Sequence, residues 1–469
     1  MNAINEFLRR AKALVIKPKI SLVGDMMVDQ YYYVDASRVS PEFPVPVMKS
    51  DRESKVISVP GGVGNVASQF KHFNVDLRLH TLMDRNANIV LDDHGINVRY
   101  CHKMWETGHV PLKKRYYQGD FPLCRWDVEE NDYGMGGDID RWREMLLESF
   151  LTASVPDVVV FSDYDKGVFS GKGCKKKWMH ALSDETISIV DPKRSPVDEW
   201  AGCTVFKPNA VEAEAMSGLK DWREQCEYFQ DKLRCMAVII TQGGDGVVGK
   251  VGASYFEYAP RCNVSANSVI GAGDCFVSFL AIGLALEMDL VDAVKVAFEA
   301  GSVYVQNRHN KPVSSYELLK HVDSEAAKLM KPPVIRDYKL IWTNGCFDFG
   351  LTKGHVEYLR QARSLGDKLV VAVNGDDSVR RLKGEGRPIM SLEERMRILA
   401  ALECVDFVVS FDEDTPFSLI SEIMPDMIVK GGDYKVEDVV GGDLIPVTIL
   451  DTVDCLSTTQ KIEKLRASI

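Results

Sequence analysis

Short apolar, β-branched runs punctuate the first two thirds of the chain: "ISLVGD", "DVVVFSDY", "ISIVDPK", "TVFKPN" and "AVIITQGG" alternate with stretches of helical periodicity. That rhythm predicts a parallel sheet wrapped by helices. The segment "YYYVDASRVSPEFPVPVMKSDRESKVISVPGG" departs from it, because alternating apolar residues and prolines predict antiparallel strands lying as a small flap beside the main sheet. The rhythm stops at "ELLKHVDSEAAKLMKPPVIRDYKL", where a charged helical piece meets Pro332 and Pro333, and restarts with "LIWTNGCFD", "KLVVAVNGD", "VDFVVSF" and "DMIVKGGD". The expected organisation is a first domain over 1–318, a linker over 319–338 and a second domain over 339–469. No internal repeat or low-complexity tract is visible.

Composition narrows what such domains do. A chain of 469 residues exceeds one ordinary core, in keeping with two domains. Lys and Arg total 57 against 68 Asp and Glu, and the net charge of -11 argues against a broad contact with nucleic acid while leaving room for small phosphates in local basic pockets. The 11 cysteines form no C-x-x-C pair and no zinc-spaced cluster, so reduced thiols in a cytoplasmic protein are expected. The N-terminal stretch carries charges where a signal peptide needs an apolar core, and "CFVSFLAIGLALEM" is too short to span a bilayer, so no membrane segment is expected.

Candidate chemistry in the first domain begins with "SVIGAGDCFVSFLAIGLAL". Gly271, Ala272 and Gly273 lead into an apolar helix whose N-terminal amides suit an anion, and Asp274 is placed to take a proton from an attacking hydroxyl. Alone, the motif reads equally well as a tight turn with a capping aspartate. Its companions add weight. "VGDMMVDQ" offers Asp25 and Asp29, and "VPGGVGNVASQF" offers Gly61, Gly62 and Asn65, a set suited to polyol hydroxyls. "FKPNAVEAEAMSG" sets Asn209 and Glu212 one helical turn apart, a spacing that can hold a magnesium-bound water, and "ITQGGDGVVG" places Thr241, Gly243, Gly244 and Gly246 at a strand end, suited to nucleotide phosphates. The run Lys113, Lys114, Arg115 in "VPLKKRYYQGDFPLCRWD" reads by itself as a solvated basic strand.

In this order the motifs resemble the ribokinase family over about residues 18–318. The resemblance implies a three-layer α/β/α domain with a β flap, attack of a substrate hydroxyl on the ATP γ-phosphate, Asp274 as base, an anion hole at Gly271 to Gly273, and Mg²⁺ on the phosphates. Ser268 and Ile270 stand where the family often has Asp and Thr at a monovalent-cation site. "DASRVSPEFPVPV", "FSDYDKG" and "IVDPKR" are similar to segments of the heptose-phosphate kinases of this family. That likeness makes Lys113, Arg115 and Arg125 a clamp on the sugar's distal phosphate, and puts Asp163, Lys166, Asp191 and Lys193 at strand ends beside the nucleotide.

The C-terminal third carries "NGCFDFGLTKGHVEYL", "VAVNGDDSVRRLKGEGRPIM", "SLEERMRILAALECVDFVVSF", "MIVKGGDY" and "CLSTTQKIEKL". These resemble, in order, the cytidylyltransferase-like nucleotidyltransferases, whose Rossmann-like α/β domain carries an HxGH-type motif. Together with the first domain they resemble the bifunctional heptose kinase/adenylyltransferases. The resemblance implies a nucleotide site of Gly345, Phe347, Thr352, Asn374, Asp376, Lys383, Arg387, Lys430, Ser457, Thr458 and Thr459, with His355 binding the reacting phosphates. The family's first motif histidine is replaced by Thr352, and the segment from Asp348 to His355 is longer than usual, so Lys353 is a candidate to supply the missing charge.

The expected function is ATP-dependent phosphorylation of a heptose 7-phosphate at C1 and adenylyl transfer to heptose 1-phosphate. A separate phosphatase would act between the steps, and a homodimer is expected. The alternative is a sugar kinase of other specificity whose C-terminal domain is inactive, or serves nucleotide binding or oligomerisation.

Overall fold

The computed structural model describes residues 2–50, 56–96, 102–103, 108–134, 139–194, 196–260, 269–332, 336, 338–348, 350–432 and 434–450. Ser268, Ser457, Thr458 and Thr459 lie outside them. The chain divides into two compact units, Met1–Leu318 and Leu319–Ile469.

The first unit is built on an eight-stranded sheet, which runs edge to edge through Ser254–Tyr258, Val247–Val251, Ala237–Thr241, Val205–Phe206, Ile187–Asp191, Val158–Ser162, Lys19–Gly24 and Asp76–His80. From Ala237–Thr241 to Asp76–His80 neighbouring strands pair in parallel; the two remaining edge strands pair antiparallel. Val158–Ser162 is buried at every residue, as a parallel strand covered on both faces must be, and this is why it reads as an unbroken apolar run. The greasy stretch that is too short for a membrane becomes the core helix Ala272–Ala285, buried continuously from Asp274 to Leu284. Asp163, Asp191 and Thr241 stand at the C-terminal ends of parallel strands, the edge at which open α/β sheets bind ligands.

The flap differs from the pattern-based expectation. It is a four-stranded sheet in the order Phe121–Val128, Leu112–Gln118, Met26–Tyr33, Ile57–Gly62, and its central pair, Met26–Tyr33 with Leu112–Gln118, is parallel. The basic run of residues 113–115 is thereby an inner flap strand. The proline-rich segment forms a separate two-stranded hairpin, Asp35–Val39 with Pro46–Lys49. Alternation along a strand reports which face is covered, while the strand's partner is decided by where distant segments meet.

The second unit holds five parallel strands in the order Phe407–Phe411, Lys368–Asn374, Leu340–Gly345, Met427–Gly431, Val447–Leu450. The connection order reverses at Leu340–Gly345, which puts a ligand crevice at that strand's carboxyl end. Ile341, Leu369, Val371 and Val408 pack with Leu359 of helix Lys353–Ser364 and Leu399 of helix Leu392–Ala400 to form its core. Among the described residues no helix is long and apolar enough to cross a membrane.

Candidate active sites

In the first unit a cavity of about 630 Å³ opens where the predicted nucleotide motifs converge. Asp163, Asp191, Lys193, Asn209, Glu212, Thr241, Gly243, Gly244, Gly246, Gly271, Ala272, Gly273 and Asp274 all line it. Gly271 precedes the core helix in left-handed geometry, φ 80°, and a Cβ there would meet Tyr304 Oη at 2.4 Å and Asn65 Nδ2 at 2.5 Å. Glycine at this position permits both the left-handed turn and the close packing against Tyr304 and Asn65. Asp274 lies one turn in, 5 % exposed. Asn65 Nδ2 donates to its Oδ2 at 2.7 Å and the Tyr164 hydroxyl donates to Oδ1. Burial raises the Asp274 carboxyl to about 6, against the lowering effect of those two donors. A carboxylate so poised is ionised near neutral pH and basic enough to accept a proton.

Two further groups at this site escaped the sequence reading. Lys207, 2 % exposed, holds Asp191 Oδ1 at 2.8 Å and brings a buried cation to within 4.0 Å of where a Cβ on Gly273 would stand. Its signal was its place at the end of the run "TVFKPN", just before the Pro-Asn pair. Tyr164 sat within "FSDYDKG" with no feature to separate it from a packing tyrosine.

Several of the candidate residues are engaged by protein groups. Asp25 is fully buried, and its oxygens accept from the amides of Tyr164, Lys166 and Val168 at 3.0, 3.1 and 2.9 Å and from Tyr133 Oη at 3.0 Å. Through these four donors Asp25 organises the loop after Ser162. Lys166 Nζ is held by Glu129 at 2.7 Å and does not line the cavity. Arg115 is paired with buried Asp29 at 2.8 Å, so its charge is already offset; Arg125 pairs with Asp127 at 2.6 Å on the exposed flap strand. Asn310 Nδ2 donates to the other Asp29 oxygen at 3.3 Å, and Gly61 packs so closely that a Cβ would lie 2.7 Å from it. Gly62, φ 57°, approaches the backbone of Asp25 in the same way. Lys113 has no ion pair among the described residues and lies over the Tyr164 ring at 5.6 Å, the basic flap residue best placed for an incoming anion.

Asn209 and Glu212 form a capping box: Asn209 Oδ1 accepts the Glu212 amide at 2.9 Å, and Glu212 Oε2 accepts the Asn209 amide at 3.1 Å. Lys193 Nζ takes Glu212 Oε1 at 2.8 Å. This leaves Glu212 lone pairs suited to accepting hydrogens from a cation's water, and among the described residues no cluster of three or more acidic, histidine or cysteine groups could hold the cation directly.

In the second unit Gly345 ends its strand, and Phe347, φ 49°, turns its ring edge-on to His355 with centroids 5.5 Å apart. Thr352 caps helix Lys353–Ser364 with its hydroxyl, and its own amide donates to His355 Nδ1 at 3.1 Å. An Nδ1 that accepts leaves the neutral ring's proton on Nε2, a donor suited to phosphate oxygen. Lys353 is the first residue of that helix and exposed. Lys383 and Arg387 converge on Asp348, which is 1 % exposed; Arg387 bonds one carboxylate oxygen and Lys383 Nζ lies 3.5 Å from the other. Asp348 was missed because it reads as an ordinary turn residue. Asn374 donates to Ser378 Oγ at 3.1 Å, and Asp376 accepts from buried Arg395 at 2.6 Å. Lys430 Nζ donates to the Asn344 carbonyl at 3.3 Å, and burial lowers its ammonium to about 8.

These groups gather in two centres, one in each unit, and likeness to known proteins divides the same way. Residues 175–313 match the pfkB family of carbohydrate kinases, and residues 342–445 match the cytidylyltransferase-like family. The protein named bifunctional protein HldE in Shewanella putrefaciens is 34% identical, covering 96% of this chain and 98% of its own length. The protein of that name in Campylobacter jejuni is 35% identical over the same shares. Phosphofructokinase-2 from Escherichia coli shares the fold of the first unit, with a TM-score of 0.54 at 17% identity, covering 65% of this chain and 98% of that one.

Proposed function

The chain belongs to the family of the bifunctional HldE proteins, and from that premise we propose that its first unit phosphorylates a heptose 7-phosphate at C1 and its second adenylylates the heptose 1-phosphate. The observation that carries the kinase half is the buried Asp274 at the mouth of the Gly271–Gly273 turn, facing a cavity walled by nucleotide-type loops. The sugar's C1 hydroxyl gives its proton to Asp274 as its oxygen attacks the ATP γ-phosphorus in line, the bond from that phosphorus to the β-phosphate oxygen breaks, and ADP leaves. The amides at the head of helix Ala272–Ala285 and the Lys207 ammonium face the charge that develops on the transferred group. Lys113 faces the sugar's distal phosphate. Asn209 and Glu212 would hold a water of an ATP-associated Mg²⁺, which would supply charge neutralisation at the phosphates.

In the second unit an oxygen of the sugar 1-phosphate attacks the ATP α-phosphorus and pyrophosphate leaves, with no enzyme nucleophile. Catalysis there is positioning and charge: His355 Nε2–H, Lys430 and the Lys383–Arg387 pair surround the phosphates. Thr352 is spent on the helix cap, and Lys353 brings the positive charge that a threonine lacks. The product of the first step carries two phosphates and the substrate of the second carries one, so a phosphatase acts between them.

The test is the purified protein with ATP, Mg²⁺ and heptose 7-phosphate, products being read by mass spectrometry. A heptose bisphosphate alone is expected, and ADP-heptose with pyrophosphate once a phosphatase for the 7-position is added. ATP binding without pyrophosphate release from heptose 1-phosphate would leave the second unit a nucleotide-binding module. The exposed apolar side chains Phe43 and Val45 on the hairpin, and Phe121 on the flap, support assembly into a homodimer. Cytoplasmic residence fits a chemistry that consumes ATP twice.

A further inference from the structure

Both oxygens of Asp274 already have protein donors, Asn65 on one and Tyr164 on the other, and the mechanism uses neither. Tyr164 is held unusually firmly for a loop residue. Its own amide, with those of Lys166 and Val168, is gathered by the Asp25 carboxylate, and Tyr133 closes the same carboxylate from a different segment. Arg143 Nε grips the Gly167 carbonyl at 2.7 Å, and the Asp163 amide donates to the Asp191 carbonyl at 3.0 Å. The outer face of the Tyr164 ring carries Lys113 at 5.6 Å. A buried carboxylate, an anchored loop and one hydroxyl thus form a continuous chain that ends on the base.

We propose that Tyr164 is a positioning residue for phosphoryl transfer: carried on a loop clamped by Asp25, its hydroxyl holds the Asp274 carboxylate toward the cavity and favours its ionised form. This rests on the reading of Asp274 as the kinase base. A hydroxyl donor stabilises the charged carboxylate selectively, because the neutral acid gains less from it. Burial pushes the Tyr164 phenol well above its ordinary value, so it stays a donor throughout the working range and does not compete for the substrate's proton.

The charged surroundings of Asp274 work in the opposite sense. Burial comes first, and the Asp191 carboxylate, held by Lys207, and the Asp29 carboxylate, held by Arg115, both raise the Asp274 carboxyl. Cys275 beside it and Tyr304 on helix Leu290–Tyr304 are neutral with their own ionisation pushed well up, and Lys113 stands beyond the Tyr164 ring. Removing the phenolic hydroxyl therefore leaves the raising influences less opposed.

Tyr164→Phe in the full-length protein tests this, because it keeps the ring beneath Lys113 and removes only the hydroxyl. With heptose 7-phosphate as acceptor, kcat for ADP formation is expected to fall about 10- to 100-fold, the range for a lost hydrogen bond to a charged group. The acidic limb of kcat/KM is expected to move to higher pH, with KM for the sugar phosphate little changed. A limb at the wild-type position overturns the proposal, whether kcat is unchanged or the loss lies in KM; in the latter case the hydroxyl is a sugar contact. Wild-type protein that makes no ADP from heptose 7-phosphate would instead remove the substrate reading. The Tyr164 assignment is then decided by the same limb in acceptor-free ATP hydrolysis.

Discussion

The Asp274 carboxyl, raised to about 6 by burial, must be ionised to accept a proton, so kinase kcat/KM should climb through about pH 6 and level off above it. Asp274→Asn should abolish ADP formation while ATP binding, followed by calorimetry, persists. The same shift has a stability consequence of definite sign. A carboxyl whose folded value lies above its ordinary 3.8 contributes stability in full below that value and loses it as pH rises through about 6. The stability of wild type relative to Asp274→Asn should therefore decline as pH rises from about 4 through about 6, and a difference in melting temperature that does not vary with pH over that range would count against the shift. Lys430 behaves oppositely in activity: its ammonium, lowered to about 8, is lost above that pH, so adenylyl-transfer kcat/KM should decline through about pH 8. Lys430→Met should flatten that limb. At this scale residue type was informative only where chemistry has few alternatives. Asp274 stands out by its helix start, and Asp25 in "VGDMMVDQ" looks equally functional; only the structure shows that Asp25 already accepts from three amides and a hydroxyl.

Helix starts and strand ends place nearly every group at both centres. Gly271→Ala would force a side chain into Tyr304 and Asn65 and require a left-handed backbone from alanine, so kinase activity should be lost with adenylyl transfer retained. Thr352→Ala removes the cap on helix Lys353–Ser364 and should cost about 1 kcal/mol of second-unit stability by thermal unfolding. It leaves the backbone amide of residue 352 on His355 Nδ1, whereas Lys353→Ala should lower adenylyl transfer and leave stability near wild type. Arg395 is the internal tie of the second unit: 1 % exposed, it donates to the carbonyls of Met390, Cys346 and Asn374 and to Asp376. Arg395→Met leaves those acceptors buried without their donor and should cost about 3 kcal/mol. The helix with Arg395 inside it was legible from periodicity and its Ser391–Glu394 capping box. That the arginine points inward was not, because periodicity assigns a charged residue to the solvent face unless distant carbonyls converge on it.

Each unit carries its own sheet and core, so activity lost in one should spare the other: His355→Ala should stop pyrophosphate release from heptose 1-phosphate and leave ADP formation from heptose 7-phosphate unchanged. The order of apolar runs, the turn motifs and the break before Pro332 specified two α/β sheets and the strand ends at which their centres lie, because a parallel strand's burial and a helix's period are local properties of sequence. Partner choice is not local. The parallel pairing of Met26–Tyr33 with Leu112–Gln118, the spending of Arg115 on Asp29, the delivery of Lys207 to Asp191 and the contact of Tyr164 with Asp274 each join segments distant in the chain. Such joins are decided when the core closes and each buried charge or donor must find a partner, which is why the sequence by itself determined the chemistry present and the tertiary structure alone decided which groups were free to perform it.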